Sequence, residues 1–406
     1  MGIFSRAFGG ERKTDVVELW REIMGGSAVS KSGTAVNLET ALKVSTAFAC
    51  LKVLSQGCAQ VPFKLYRERE TNGLPTILPA KDHALYDLVT VQPNAWTTSF
   101  QFRETLVLHA ALGNAYVFIN RSSFGITELT LLDPAKVVKE QKNDYSIVYK
   151  VTGKSGNVQD FPQEAIWHVP GPSWNGIDGL RILNLAREAL GLAITTEETH
   201  AKLHAKGVRP SGTYSVESTL NKEQYAALKS WIEREFAGAE NSGTPMILDR
   251  GAKWMSQGMS GVDAQHIETR KHQVEEVCRF FGIFPIMIGY SDKTSTFASS
   301  EAFFDAHVKH SLAPWFARIE QSADAYLLTP KERAKGYYFK FNAAGLLRGS
   351  SKDRAEYYTK ALGSGGHPGW MTPDEVRALE EMNPRGGIAG ELPQGSNGQP
   401  PTAPPA

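Results

Sequence analysis

Cysteine is scarce in this 406-residue chain, with copies only at Cys50, Cys58 and Cys278. None of them stand in a CxxC pair or at a metal-ligand spacing. No zinc ribbon is signalled, and free thiols in a reducing compartment are expected over a disulfide framework. No apolar run reaches the ~18 residues that a membrane-spanning helix needs. The N-terminus, Met1-Gly2-Ile3-Phe4-Ser5-Arg6, lacks the apolar stretch of a signal peptide, and Arg6 stands where a myristoylation signal wants Ser or Thr. A cytoplasmic protein is the expectation. Neither charge dominates: 44 Lys and Arg against 43 Asp and Glu leave a formal net charge of +1. Tight polyanion binders carry a basic surplus. Any DNA contact here should therefore be weak, local or steric.

The hydrophobic fraction of 41% and charged fraction of 21% suit a soluble globular protein. The length exceeds what one core usually serves, so two or more packing units are expected. Residues 1–40, rich in Gly and Ser, read as a loose arm. From Thr40 to Val61, apolar positions recur at three and four residues, which predicts an amphipathic helix ended by Pro62. Phe63–Tyr66 reads as a strand, Asp82–Leu88 as a short helix, and Ser99 as the cap of another. Short strands follow at 115–120, 128–132, 137–140, 146–151 and 165–169, separated by turn residues. The first 178 residues thus form an α+β unit.

Helical patterns then predominate. One helix is expected from Gly179 to about Lys206 and another from Val262 to Ile283. The apolar stripe of the second is Ile267, Val274, Val277, Cys278 and Phe281. At ~1.5 Å per residue this second helix is a rod of roughly 31 Å. Between them, residues 208–262 read as a compact insert with a helix near 221–236 and strands near 246–248 and 253–256. Phe284-Pro285 breaks the second rod. A small polar loop follows, including Ser291, Asp292, Lys293, Thr294, Ser295 and Thr296. A long helix runs from about Ser300 to Leu328, and Pro314 inside it should kink it. A strand at 337–342 and helices at 350–362 and 372–382 come next. The Gly- and Pro-rich tail from Gly386 is expected to be disordered.

Motifs for catalysis fail on inspection. Gly153-Lys154-Ser155 resembles the end of a P-loop, but Val148 occupies the position of the essential first glycine. His200 and His204 share a helical face, yet Ala201 stands where a zinc protease has Glu. His307 and His310, near Glu301 and Asp305, read as ordinary helix residues. Asn175 breaks a nucleophile elbow after Gly171-Pro172-Ser173. Gly363-Ser364-Gly365-Gly366 lacks the strand of a dinucleotide site. No catalytic residue, metal ligand or cofactor is assigned.

Several segments, taken in order, resemble the portal family of tailed double-stranded DNA phages. These are Val44–Leu51 running to Val61-Pro62, with its S-x-x-x-A-C pattern; Leu112-Gly113-Asn114-Ala115-Tyr116; and Gly176-Ile177-Asp178-Gly179-Leu180. Val277–Pro285 resembles the family's R-x-F-G-(I/V)-P-P ending, with Phe284 in place of its first Pro. Leu312-Ala313-Pro314-Trp315 with Ile319-Glu320, then Asp353-Arg354, Thr372–Arg377 and Asn383-Pro384, complete the match over about residues 40–387. The resemblance implies a portal fold. Its parts are a wing (41–178, with the 300–345 kinked helix and strand), stem helices (179–207 and 263–284), a clip (208–262), a tunnel loop (285–299) and a crown (346–385).

By the same resemblance, copies form a ring, usually dodecameric, at one capsid vertex of the virion, assembled in the host cytoplasm. Double-stranded DNA passes through the channel. The expected partners are the terminase large subunit, capsid and scaffold proteins, and a head–tail adaptor. The resemblance implies no enzyme and no cofactor, since the motor ATPase is the separate terminase. Lys293 is the one basic residue of the loop able to reach backbone phosphate, and an ordinary solvated lysine is the equal alternative. The rival readings are another virion assembly protein such as a head–tail adaptor, an unrecognised metal-dependent hydrolase using His200, His204 or His307, and a DNA-binding regulator.

Overall fold

The computed structural model describes residues 29–71, 74–123, 125–206, 212–215, 221–235, 253–256, 260–290, 297–343, 346, 351–363, 368–380 and 382–393. The first helical stretch is divided. Helix α1 (Leu38–Lys43) starts at an Asn37–Thr40 capping box, in which each side chain bonds the other's backbone N–H. Val44 is extended, and α2 (Ser45–Ala59) follows, burying Cys50, Leu51, Leu54 and Cys58. Helices α3 (Ala84–Thr90) and α4 (Ser99–Ala111) lie nearby. The cap of α4 is Thr98, paired with Gln101, not Ser99. Ser99 is the first helical residue, and its hydroxyl bonds the Val89 carbonyl and the Arg103 guanidinium instead.

Strands β1 (Phe63–Thr71) and β2 (Leu74–Pro79) form an antiparallel pair, and β11 (Tyr337–Phe341) joins β1 on the other edge. The second sheet has the order β4-β3-β8, from β3 (Asn114–Ser122), β4 (Gly125–Leu132) and β8 (Ile166–Pro170). A meander of β5 (Val137–Gln141), β6 (Ile147–Thr152) and β7 (Val158–Pro162) makes the third. Strands β2 and β7 have little apolar alternation, and the sequence pattern did not signal them.

The first rod is a short α5 (Ile182–Leu185) followed by α6 (Arg187–Lys206); the second is α8 (Ser260–Phe281). Between them, β9 (Gly212–Ser215) pairs with β10 (Lys253–Ser256), and α7 spans Lys222–Glu235. The expected strand at 246–248 lies outside the described residues.

The long helix consists of α9 (Phe297–Ala306), a π-helical segment (His307–Leu312) and α10 (Ala313–Tyr326), with Pro314 at the start of α10. A π turn widens the backbone by one residue, and here it stands immediately ahead of the proline that cannot donate to the helix ladder. After α10 come α11 (Pro330–Ala334), β11, α12 (Ser351–Ala361) and α13 (Pro373–Leu379).

One apolar core joins α2, α4, the first two sheets, the wing end of both rods and α10. A smaller cluster of Tyr116, Val137, Tyr149 and Ile166 lies under the meander. Two expectations need correction. The arm is not loose throughout: residues 29–37 fold against α6, where the Lys31 N–H bonds Glu188 and the Thr34 hydroxyl meets that of Thr195 at 2.8 Å. The tail does not lose structure at Gly386. The Asp374 carboxylate accepts the backbone N–H of Arg385 and of Gly386, and Gly387–Gly390 forms a 3-10 turn.

Candidate functional site

The paired rods and the segment that links them to the long helix are where the fold places its distinctive geometry. Helices α6 and α8 pack against each other, and the Gln273 amide donates to the Thr196 hydroxyl at 3.4 Å. The apolar stripe of α8 turns inward at its wing end: Val277, Cys278 and Phe281 are buried. Further toward the start of the same helix, Glu268, Thr269, Arg270, Lys271 and His272 are exposed. The apolar stripe is thus used, at its wing end, within the chain itself. Close packing also fixes the arm. A Cβ on Gly191 would fall 2.3 Å from the Ser30 hydroxyl, so the strap of residues 30–34 lies directly on the α6 backbone.

After α8 the chain turns at Gly282, whose φ of +64° favours glycine. Ile283 is buried, and a 3-10 turn at Pro285–Ile288 follows, closed by Gly289 at φ +79°. The far end of the loop is tied back to the near end. The Ser311 hydroxyl donates to the Gly282 carbonyl at 2.7 Å, and the rings of Phe284 and Phe303 lie 6.3 Å apart. Leu312 of the π segment sits over Gly57, where a Cβ would come within 3.0 Å of it. The start and end of the loop therefore rest together on α2. Ser291, Asp292, Lys293, Thr294, Ser295 and Thr296 lie outside the described residues. Pro314 is exposed, one turn beyond this junction.

A second polar cluster positions the approach to the first rod. Asn114 accepts from the Gly179 N–H at 2.9 Å and meets His168 Nε2 at 2.9 Å, while His168 Nδ1 meets the Tyr149 hydroxyl at 3.3 Å. Burial, with the Lys139 charge assisting, pushes His168 down to about 3, so the ring is neutral. The Lys139 ammonium lies 2.6 Å from Asp178 and also donates to the Ile177 carbonyl. Burial lowers Lys139, with Asp178 opposing. Burial alone would raise Asp178, but Lys139 and Asn175 hold it below the usual carboxylate range. Only Asn114 and the Gly176–Leu180 turn of this cluster were marked in the sequence, and for a different reason. Its members come from four separate strands and the 175–179 turn, which no local spacing could join.

Beside it, a cleft of about 680 Å³ runs between β8 and α10, lined among others by Ile147, His168, Ile177, Arg318, Gln321 and Tyr326. Arg318 donates to the carbonyls of Pro170 and Gly171. Both nitrogens of His168 are engaged, so this cleft presents no poised acid–base pair. Of the histidines weighed as ligands, His307 is buried and His310 exposed, while Asp305 pairs with Lys309 at 2.6 Å. His200 and His204 lie on α6, and their side chains lie outside the described residues. Among the described residues there is no group of three or more His, Cys, Asp or Glu able to hold a metal ion. The three cysteines are free and buried.

Two long rods carrying a small α/β insert, rooted in an α+β wing and followed by an interrupted helix, define a ring-building architecture. Residues 45–381 match the family model described as phage portal protein. The chain is 29% identical over 368 residues to the probable portal protein of Streptomyces phage phiC31, covering 88% of this chain and 78% of that one. It is 27% identical over 354 residues to the portal protein of Enterobacteria phage HK97, covering 86% and 81%. In fold it is similar to a chain from the neck of a native gene transfer agent particle computed with C12 symmetry. That match has a TM-score of 0.56 at 22% identity and covers 93% of this chain and 95% of the other. The chain belongs to the phage portal protein family.

Proposed function

We propose that this chain is the ring-forming subunit of a portal vertex, which gives DNA a channel for packaging and ejection. The observation that carries this is the pair of packed rods, α6 and α8, standing off the wing in a chain that matches the portal family over residues 45–381. A heterologous contact repeated by rotation closes into a ring, and the C12 symmetry of the structurally similar neck supports a count of twelve. In this reading 41–178 with 300–345 is the wing, 179–207 and 263–284 the stem, 208–262 the clip, 285–299 the tunnel loop and 346–385 the crown. Terminase large subunit docks on the clip. Capsid and scaffold proteins and a head–tail adaptor are the other proposed partners. The location that follows is the capsid vertex of the virion, after assembly in the host cytoplasm. Among the described residues, no helix is long and apolar enough to cross a membrane.

Electron microscopy of the purified protein tests this directly. Axial views should show a ring with a central hole wide enough for duplex DNA and twelvefold averages; a population of compact monomers or closed dimers would remove the reading. The near-neutral charge of +1 supports sliding rather than gripping, because each neutralised phosphate releases counterions and tightens binding. Within Ser291–Thr296, Lys293 is the proposed phosphate contact. Lys293→Ala should lower the log–log salt slope of DNA binding by about one per contacting subunit. An unchanged slope removes Lys293 from the channel wall.

A further inference from the structure

We propose that Cys50 and Cys278 form an oxidisable dithiol which, as a disulfide, ties the wing helix α2 to the second rod α8. Their sulfurs lie 3.7 Å apart across 228 residues of sequence. Both side chains are buried, and the helices that carry them pack together. A disulfide needs the sulfurs about 1.7 Å closer, and the two helices that carry them are already in contact. Cys58 provides an internal contrast. It is on α2 two turns further on and equally buried, and burial is the sole influence raising its thiol. Between the paired thiols, Cys50 donates to Cys278, which holds Cys278 below the ordinary thiol value and Cys50 above it. Cys278 is therefore the first nucleophile.

The oxidant is hydrogen peroxide, small enough to reach a buried sulfur during local opening where α8 ends at Phe281–Gly282. The Cys278 thiolate attacks the peroxide: an S–O bond forms, the O–O bond breaks, and the departing hydroxide takes up the thiol's proton to leave as water. The Cys50 sulfur then displaces hydroxyl from the Cys278 sulfenic acid, and a second water leaves with the Cys50 proton. Two thiols lose two electrons and two protons, and one peroxide becomes two waters. The product closes a loop through most of the chain. It fixes the second rod to the wing beside the junction where Ser311 bonds Gly282 and Leu312 covers Gly57. The thiols stay reduced during assembly in a reducing compartment and become a lock once the protein meets an oxidising one.

The test uses the full-length native protein treated with hydrogen peroxide, then denatured and alkylated. The expected product is about 2 Da lighter before alkylation and takes up alkyl groups at one cysteine instead of three. Non-reducing peptide mapping should join the Cys50 and Cys278 peptides and leave Cys58 alkylated. The melting temperature should rise by several degrees and return on reduction. In Cys50→Ser, dimedone should trap the stranded sulfenic acid at Cys278. Three alkylated cysteines after peroxide treatment of the wild type would overturn the proposal. A bridge to Cys58, a sulfinic acid at Cys278 with no bridge, or an unchanged melting temperature in the bridged form would overturn it as well.

Discussion

His168 shows how one buried side chain sets a pH dependence for the whole fold. Its ring stacks on Tyr116 at 4.7 Å and is bonded at both nitrogens. Burial holds it near 3 in the folded protein, against about 6.5 in an unfolded chain. The unfolded state therefore binds a proton first as pH falls. The stability contributed by the neutral ring is complete above about pH 6.5 and is lost between there and about 3, by at most ~1.4 kcal/mol per pH unit. Urea unfolding of wild type and His168→Gln at pH 7, 6 and 5 should give a shallower pH slope in the variant, whatever its absolute stability. Equal slopes would mean that His168 is already solvated and protonated in the fold. Half-buried His109 and buried His307 are lowered too, and they cancel in the comparison. Arg103 is a second residue whose importance lies in burial. Its guanidinium bonds the Ala59 and Val89 carbonyls, joining the ends of α2 and α3 to α4.

Among the elements, the turn that feeds the first rod depends on glycine for two different reasons. A Cβ on Gly179 would lie 1.7 Å from the Gly113 carbonyl oxygen, a backbone atom that cannot swing aside. Gly176 has open space around it but a φ of +75°. Gly179→Ala should therefore cost about 3 kcal/mol or more, as a steric clash in a packed interior does. Gly176→Ala should cost only about 1 kcal/mol of left-handed strain. Denaturant midpoints would read the difference, and equal losses would show that the 171–181 turn is free to repack. This part of the chain also shows what sequence could and could not convey. Periodicity of three and four residues located α2, α8 and α10, because each buries one stripe. It did not reveal the π segment, since a one-residue widening leaves the stripe nearly intact. Nor did it show the break at Val44, where the apolar spacing continues across an extended residue. Gly179 looked like a helix start, but α5 begins at Ile182, and the glycine instead lies against the Gly113 carbonyl and donates its N–H to the Asn114 side chain 65 residues away. Contacts of that kind, like the Cys50–Cys278 pair, come from topology and carry no local signature.

At the scale of the whole molecule, the rods, the wing and the insert differ in what they need from one another. The wing end of α8 is sealed into the main core, and α6 is strapped by the arm. By contrast, β9 packs chiefly on β10, and neither strand has an extensive contact with the rods among the described residues. The described strands of the insert thus make their own small sheet between the two rods. Thr196 faces Gln273 across the antiparallel rods. From that level Lys206 is ten residues further on and Ser260 thirteen residues back, so at ~1.5 Å per residue the two rod ends rise to within about 5 Å of the same height. Packed helices stand 8–10 Å apart, a gap that about six Gly/Ser residues span without strain. Replacing residues 207–259 by such a linker should leave wing and stem folded, with a melting temperature within about 3 °C of wild type and unchanged far-ultraviolet signal per residue of the retained helices. If the proposed assignment of the insert is right, the same variant should lose binding to terminase while the wild type retains it. A cooperative collapse of the melt would show instead that the insert holds the rods together. That would move the source of stem stability from the wing junction to its tip.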